Sequence, residues 1–191
     1  MNGLKIYNIE VDLKDDELGC SAISLVEYPA VQVGFLKFTD QHLNTLKFSE
    51  DKHIITGVAM LADTPIYRFN ETFGEHYVVF SKQCIRNIIE KYSKLGFNNI
   101  VNIEHSETNF VSDLVMVESY IIDHQRNIVP IEFQDIPDGS WIVSYKVNNE
   151  SLWNDIKNGV VTGFSIEGFF EYGDSINEEE TIQDAINELF E

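Results

Sequence analysis

Apolar and polar residues along most of this chain alternate with the two-residue period of β-strands. The clearest runs are residues 54–61, Ile-Ile-Thr-Gly-Val-Ala-Met-Leu, and residues 114–122, which begin at Leu114. Shorter runs of the same kind predict strands over residues 4–11, 22–28, 77–80, 100–105, 140–147 and 160–170. Seven or eight strands with two or three helices indicate a mostly β, α+β domain that curls into a closed or partly open barrel flanked by helices.

Helical signals are concentrated in three places. Ser81 is a typical N-cap and Gly96 a typical stop for a helix between them, in which five apolar residues recur at helical spacing: Ile85, Ile88, Ile89, Tyr92 and Leu95. A shorter helix is predicted over residues 152–158. Residues 174–191 are strongly acidic yet amphipathic, which predicts a separate C-terminal helix beside a barrel domain over residues 1–173.

The charge of the chain limits its partners. Its 191 residues include 13 Lys and Arg against 32 Asp and Glu, a net charge of -19, so we expect no nucleic-acid partner. No apolar run of membrane-spanning length and no signal peptide is present, which predicts a cytoplasmic protein without a membrane partner. Cys20 and Cys84 lack metal-ligand spacing, so we read both as free thiols and expect no metal or cofactor.

The run over residues 160–170 carries the first catalytic candidate. Ser165 lies mid-strand on the face that also holds Gly163 and Glu167, whereas Phe164 and Ile166 point the other way. The flanking glycines would let another backbone come close. Ser165 is therefore a candidate nucleophile, although a serine in such a strand is more often a packing residue.

A serine nucleophile needs a base, and His105 is the best placed of the five histidines. It ends the run over residues 100–105, with Val101 and Ile103 predicted on its face. The alternative is an edge histidine held by a structural hydrogen bond. The other four histidines fall in turns or at strand edges and are predicted to be solvated: His42, His53, His76 and His124.

Two further arrangements of carboxylates are candidates for a catalytic role. Glu118 lies within an apolar strand and needs a partner, so we predict that its strand pairs with that of His105 and that Glu118 orients the ring. The alternative for Glu118 is a charge that protects a sheet edge. Glu167 and Glu171 share the face of Ser165, which leaves a carboxylate-based hydrolase as a weaker alternative.

Four phrases of the sequence resemble those of the XkdF-type phage prohead proteases, which are related to the tailed-phage capsid maturation proteases and to the herpesvirus assemblins. The phrases are Ala-Ile-Ser-Leu-Val-Glu-Tyr-Pro-Ala at 22–30, Ile-Thr-Gly-Val-Ala at 55–59 with Ile-Tyr-Arg at 66–68, Asn-Ile-Glu-His at 102–105, and Trp-Asn-Asp-Ile-Lys-Asn-Gly at 153–159 with Gly-Phe-Ser-Ile-Glu-Gly at 163–168. By this resemblance Ser165 matches the nucleophile and His105 the base.

The chain departs from the family pattern at one point. In the better-known prohead proteases a phrase like E-I-S-x-V-x-x-P-A follows the serine strand, and its Glu looks like the third catalytic residue. Here the matching phrase comes first and has Ala22 in place of that Glu. We therefore predict a circularly permuted barrel in which the Ser24 strand lies next to the Ser165 strand, and a third residue that is absent or supplied from elsewhere, with Glu118 as the candidate.

The resemblance implies a serine endopeptidase that acts inside the phage procapsid in the host cytoplasm. Its implied substrates are the scaffolding protein and scaffolding segments of the major capsid protein, and then the protease itself. The scaffolding protein and the major capsid protein are therefore its expected partners, together with other copies of the same chain. The alternative is a capsid assembly module that keeps the protease fold without efficient catalysis.

Overall fold

The computed structural model describes residues 4–15, 17–29, 47–49, 52–106 and 108–176. Two α-helices and eleven strands lie in these ranges, which confirms the prediction of a mostly β, α+β domain. The helices are α1 (Lys82–Lys94) and α2 (Glu150–Lys157). The strands are β1 (Ile6–Glu10), β2 (Gly19–Val26), β3 (Lys47–Ser49), β4 (Ile54–Met60), β5 (Ile66–Asn70), β6 (Gly74–Phe80), β7 (Val101–Ile103), β8 (Leu114–Ile121), β9 (Trp141–Val147), β10 (Gly163–Phe169) and β11 (Glu171–Ile176).

The strands form three sheets. Their orders are β11-β1-β6-β5, β10-β2-β7 and β3-β4-β9-β8. Neighbouring strands are antiparallel except for the pairs β1–β6 and β2–β7. No closed barrel is found among the strands of the described ranges, so the barrel and its circular permutation stay predictions.

The predicted helix over residues 82–95 is confirmed, and local chemistry explains its ends. The Cys84 N–H donates to the Ser81 side chain at 3.1 Å, which caps the first turn. Gly96 follows the last turn with φ of 73°, a left-handed conformation that favours glycine. Ile85, Ile88 and other apolar residues of α1 are buried in the main core, with α1 lying against β2.

Three local predictions need correction. The strand after the Asn102–His105 region, β8, pairs with β9 in another sheet, and β7 pairs with β2 instead. His76 is fully buried rather than solvated, because its ring nitrogens bond to the Gly74 carbonyl and the Tyr172 hydroxyl. The chain continues as β11 as far as Ile176, beyond the predicted boundary at residue 173.

The predicted tail helix over residues 174–191 begins within β11. Ile176 pairs with Ile6 and Ser175 pairs with Tyr7, so the start of this range belongs to a sheet. Residues 177–191, on which most of that prediction falls, lie outside the described residues, and so does His42.

Candidate active site

Strands β2 and β10 lie side by side and bring two serines opposite one another. Ser165 pairs with Ser24, and Glu167 pairs with Ala22. The prediction that the Ser24 strand lies next to the Ser165 strand is therefore confirmed. Because directly opposed residues of antiparallel strands project to the same face, these four side chains share one face of the sheet.

The two glycines that flank Ser165 fit against other parts of the same chain. A Cβ added to Gly163 would come within 2.2 Å of Pro29 Cγ, and one added to Gly168 within 1.9 Å of the Gly19 carbonyl oxygen. The pairing also shifts register between Glu167 and Gly168. The glycines thus serve the close packing of β10 on β2 and the segment after it.

His105 reaches the site by a turn rather than as part of a strand. Strand β7 ends at Ile103, and Glu104 and His105 both have positive φ angles, 52° and 56°. The Glu104 N–H donates to the Leu25 carbonyl at 3.0 Å, and the Glu104 carboxylate accepts the Glu27 N–H at 2.6 Å. The predicted alternation of Val101, Ile103 and His105 on one face is therefore wrong, since the left-handed turn redirects the ring.

One carboxylate oxygen of Glu167 is the common acceptor for three polar side chains. Glu167 Oε1 accepts hydrogen bonds from Ser24 Oγ at 2.7 Å, Asn102 Nδ2 at 2.7 Å and His105 Nδ1 at 3.0 Å. Ser24 Oγ also contacts the Asn102 side-chain oxygen, and it lies 3.2 Å from His105 Nδ1. We call Ser24, Asn102, His105 and Glu167 the Glu167 cluster.

This geometry selects the tautomer of His105. A carboxylate facing Nδ1 favours a proton on that nitrogen, which leaves Nε2 of a neutral ring as an acceptor. Within the described chain Nε2 has no hydrogen-bond partner, and 45% of the His105 side chain is exposed. His105 can therefore accept a proton at Nε2 while Glu167 holds the opposite side of the ring.

The cluster keeps Glu167 ionised. Partial burial raises the pKa of its carboxyl group, but hydrogen bonds from Ser24 and Asn102, then the charge and hydrogen bond of His105, outweigh that effect. The net result is a pKa below the usual range for a glutamate. A negative charge is therefore present beside the imidazole at neutral pH.

Ser165 lies beside the cluster without joining it. The residue is 6% exposed and borders a small cavity whose lining also includes Met60, Arg68 and Phe80. Among the described residues, the Ser165 hydroxyl makes no hydrogen bond, either with His105 or with another group. Ser24, which does contact His105, is fully buried.

The other predicted carboxylates lie elsewhere. Glu118 Oε2 accepts a hydrogen bond from Ser144 at 2.5 Å, in the sheet that contains β8 and β9. The structure thus does not bring Glu118 to His105, whose Nδ1 faces Glu167. Glu171 lies in β11, where it is exposed and pairs with Glu10, so it is not on the strand of Glu167.

Ser24 and Asn102 are site residues that the sequence reasoning did not single out. Both are polar residues inside otherwise apolar strands, and both are fully buried, which requires hydrogen-bond partners. Each also lies in one of the phrases that carry the family resemblance. A search for buried polar positions within those phrases would have found them.

Metal-binding clusters and membrane-spanning helices are both absent from the described residues. In the part of the chain that the structure describes, no group of three or more His, Cys, Asp or Glu could hold a metal ion. No helix of the described ranges has the length and apolar character needed to cross a membrane.

Hydroxyl, imidazole and carboxylate groups on one face of a sheet are the components of a serine hydrolase site. A family model with the description "Putative phage serine protease XkdF" matches residues 42–174, more than half of the sequence, and the chain belongs to this family. The matched range includes Asn102, His105, Ser165 and Glu167, whereas Ser24 precedes it. No curated protein and no solved structure matches the chain. The predicted membership of the XkdF family is confirmed, and the relation to assemblins stays a prediction.

Proposed function

We propose that this protein is a phage prohead serine endopeptidase in which Ser165 is the nucleophile, His105 the general base and Glu167 the residue that positions His105. Its substrates are the scaffolding protein and scaffolding segments of the major capsid protein, and then the protease itself, inside the procapsid. Family membership supports the class of activity. The residue roles and the substrates are our proposal.

The hydrogen bond between Glu167 and His105 Nδ1 is the observation that carries this proposal. Ala22 stands where the family phrase would have a catalytic Glu, and Glu167 is its direct partner across the β2–β10 pair. A carboxylate on either of two opposed positions can reach the same space above the sheet. Glu167 therefore replaces Glu118 as our candidate for the third catalytic residue.

The chemistry follows from this arrangement. His105 Nε2 takes the Ser165 hydroxyl proton as the serine oxygen attacks the substrate carbonyl carbon, and the resulting imidazolium is stabilised by Glu167. The ring then donates that proton to the leaving amine, and water releases the acyl group by the reverse sequence. Ser165 and His105 must approach one another for this transfer, as is common when catalytic hydrogen bonds tighten only with substrate bound.

A fluorophosphonate probe tests the assignment of the nucleophile. We expect one adduct per chain, located at Ser165 by peptide mass spectrometry, and none in Ser165→Ala or His105→Ala. Ser24→Ala is the matched control because it removes the opposite hydroxyl, and it should still be labelled. An adduct at Ser24, or labelling that survives Ser165→Ala, would show that the nucleophile is misassigned.

The second candidate function is an assembly module that keeps the fold but does not cleave. The absence of a hydrogen bond between Ser165 and His105 favours it, since the two groups are not arranged for proton transfer without substrate. Co-expression with the major capsid and scaffolding proteins separates the two functions. Shortened partner proteins that depend on Ser165 support the protease, whereas assembly without cleavage and a folded, unlabelled chain support the module.

A further inference from the structure

A cavity of about 440 Å³ lies next to the proposed active site. It is bounded by Ile166 and Glu167 of β10 on one side and by residues of the β11-β1-β6-β5 sheet on the other, among them Arg68. A smaller cavity beside Ser165 shares three of its lining residues: Arg68, Phe80 and Ile166. A group bound in the large cavity would therefore contact Glu167 and would lie next to the smaller cavity that borders Ser165.

Among the described residues, Arg68 is the only basic residue in the lining of this cavity, and none of their carboxylates forms an ion pair with it. Its hydrogen bond runs from Nη1 to the neighbouring Tyr67 carbonyl at 2.9 Å, and within the described ranges it forms no ion pair. Burial lowers the pKa of its guanidinium, which nevertheless stays charged at neutral pH.

The lining fits a short acidic side chain. Ile9, Val78 and Phe80 provide apolar walls for methylene groups, and Arg68 can pair with a carboxylate through two parallel N–H donors. A single guanidinium matches the single charge of a carboxylate. The Glu167 carboxylate in the same lining repels any anion, but it repels a singly charged carboxylate less than a phosphate group, which carries more charge.

We infer that this cavity is a specificity pocket of the protein and that Arg68 gives it a preference for substrate peptides with Asp or Glu near the scissile bond. The inference rests on the proposed function, because it takes Ser165 as the position of the scissile bond. The overall charge of -19 repels acidic peptides. A preference for Glu over the isosteric Gln must therefore come from a local cation.

Peptide binding to the full-length Ser165→Ala chain tests the pocket without requiring catalysis. The probes are octapeptide pools with random flanks and one fixed central residue, either Glu, Gln, Asp or Asn, and bound peptides are quantified by mass spectrometry. We expect the acidic pools to bind about 10- to 100-fold more tightly than the amide pools, as for a charged hydrogen-bonded pair. Adding Arg68→Gln should abolish that preference, and Arg68→Lys should retain part of it.

Arg86→Gln is the matched control because Arg86 is exposed on α1 and its loss changes the net charge equally. It should leave the preference intact, and thermal unfolding would check that each variant is folded. Equal binding of Glu and Gln pools, or a preference that survives Arg68→Gln in a folded chain, would overturn the inference. Failure of the proposed protease has a different signature, since the wild-type chain would then neither cleave the pools nor react at Ser165.

Discussion

Replacing Glu167 by Gln separates the charge of this residue from its role as a hydrogen-bond acceptor. Glu167 Oε1 accepts bonds from Ser24, Asn102 and His105, and the amide oxygen of Gln can accept the same three. The substitution therefore retains the Nδ1–H tautomer of His105 and the packing of the Glu167 cluster. What it removes is the negative charge beside the ring.

The distance and the exposure set the size of the effect. When His105 takes up the serine proton, its Nδ1 lies 3.0 Å from Glu167 Oε1, and 45% of its side chain is exposed. Two unit charges at this separation attract by about 1.4 kcal/mol at the dielectric constant of water and by about 2.8 kcal/mol at a dielectric constant of about 40. We therefore expect Glu167→Gln to lower kcat/KM by about 10- to 100-fold. A loss of about 10,000-fold is expected only if the amide imposes the wrong tautomer.

The assay is the rate constant for inactivation by the fluorophosphonate probe, followed by cleavage of co-expressed scaffolding protein. Glu171→Gln is the control, because it removes an exposed carboxylate of β11 and changes the net charge equally. It should react at the wild-type rate. An unchanged rate for Glu167→Gln, or an equal loss for both variants, would refute the role of the Glu167 charge.

Three further predictions concern the same strands. Glu167→Gly should abolish the reaction with the fluorophosphonate probe. Adding Ala22→Glu should restore part of that reaction rate, because residues 22 and 167 are directly opposed. No recovery in the probe assay would contradict this prediction. The pKa of Glu167 is lowered on folding, so its contribution to stability is full above about pH 4.3 and is lost as pH falls through the folded value. The stability difference between wild type and Glu167→Gln, measured by urea unfolding, should therefore shrink as the pH is lowered below about 4.3, and a difference that stays constant there would count against this prediction. Gly168→Ala should lower the free energy of unfolding by about 2 kcal/mol or more, because the added Cβ meets the Gly19 carbonyl. Gly96→Ala adds a Cβ in open space and should lower it by about 1 kcal/mol because of the positive φ. Equal losses for the two variants in the same unfolding assay would refute the contact argument.

Elements with local signals were predictable from the sequence. The α1 helix has its cap, its apolar period and its glycine stop within sixteen consecutive residues, from Ser81 to Gly96. The β4 strand is equally clear, because its apolar run needs no distant information. The pairing of the Ser24 and Ser165 strands, by contrast, was predicted only through the family resemblance.

The proposed third catalytic residue could not be derived in this way. Alternation shows which face of a strand a carboxylate occupies, but it does not show which strand lies alongside. Glu118 and Glu167 therefore looked similar, although Glu118 bonds to Ser144 and Glu167 bonds to Ser24, which is 143 positions away in the chain. The position of the His105 ring beside Glu167 could not be predicted either, because it depends on two residues in the left-handed conformation, neither of which is a glycine.

The direct opposition of Ala22 and Glu167 limits the order in which such a site can change during evolution. Opposed Cβ atoms lie about 4.5 to 5.5 Å apart, so a chain with Glu at both positions would place two like charges over the same serine and asparagine. A chain with neither would leave the histidine without an anion. The intermediate with two acids keeps a partner for the ring, and one of its carboxyl groups can take up a proton to relieve the repulsion. Under the proposed role of Glu167, a transfer of the acid between positions 22 and 167 passes through a two-glutamate form, and Ala22→Glu in the present chain should therefore lose activity as the pH rises and the second carboxyl group ionises.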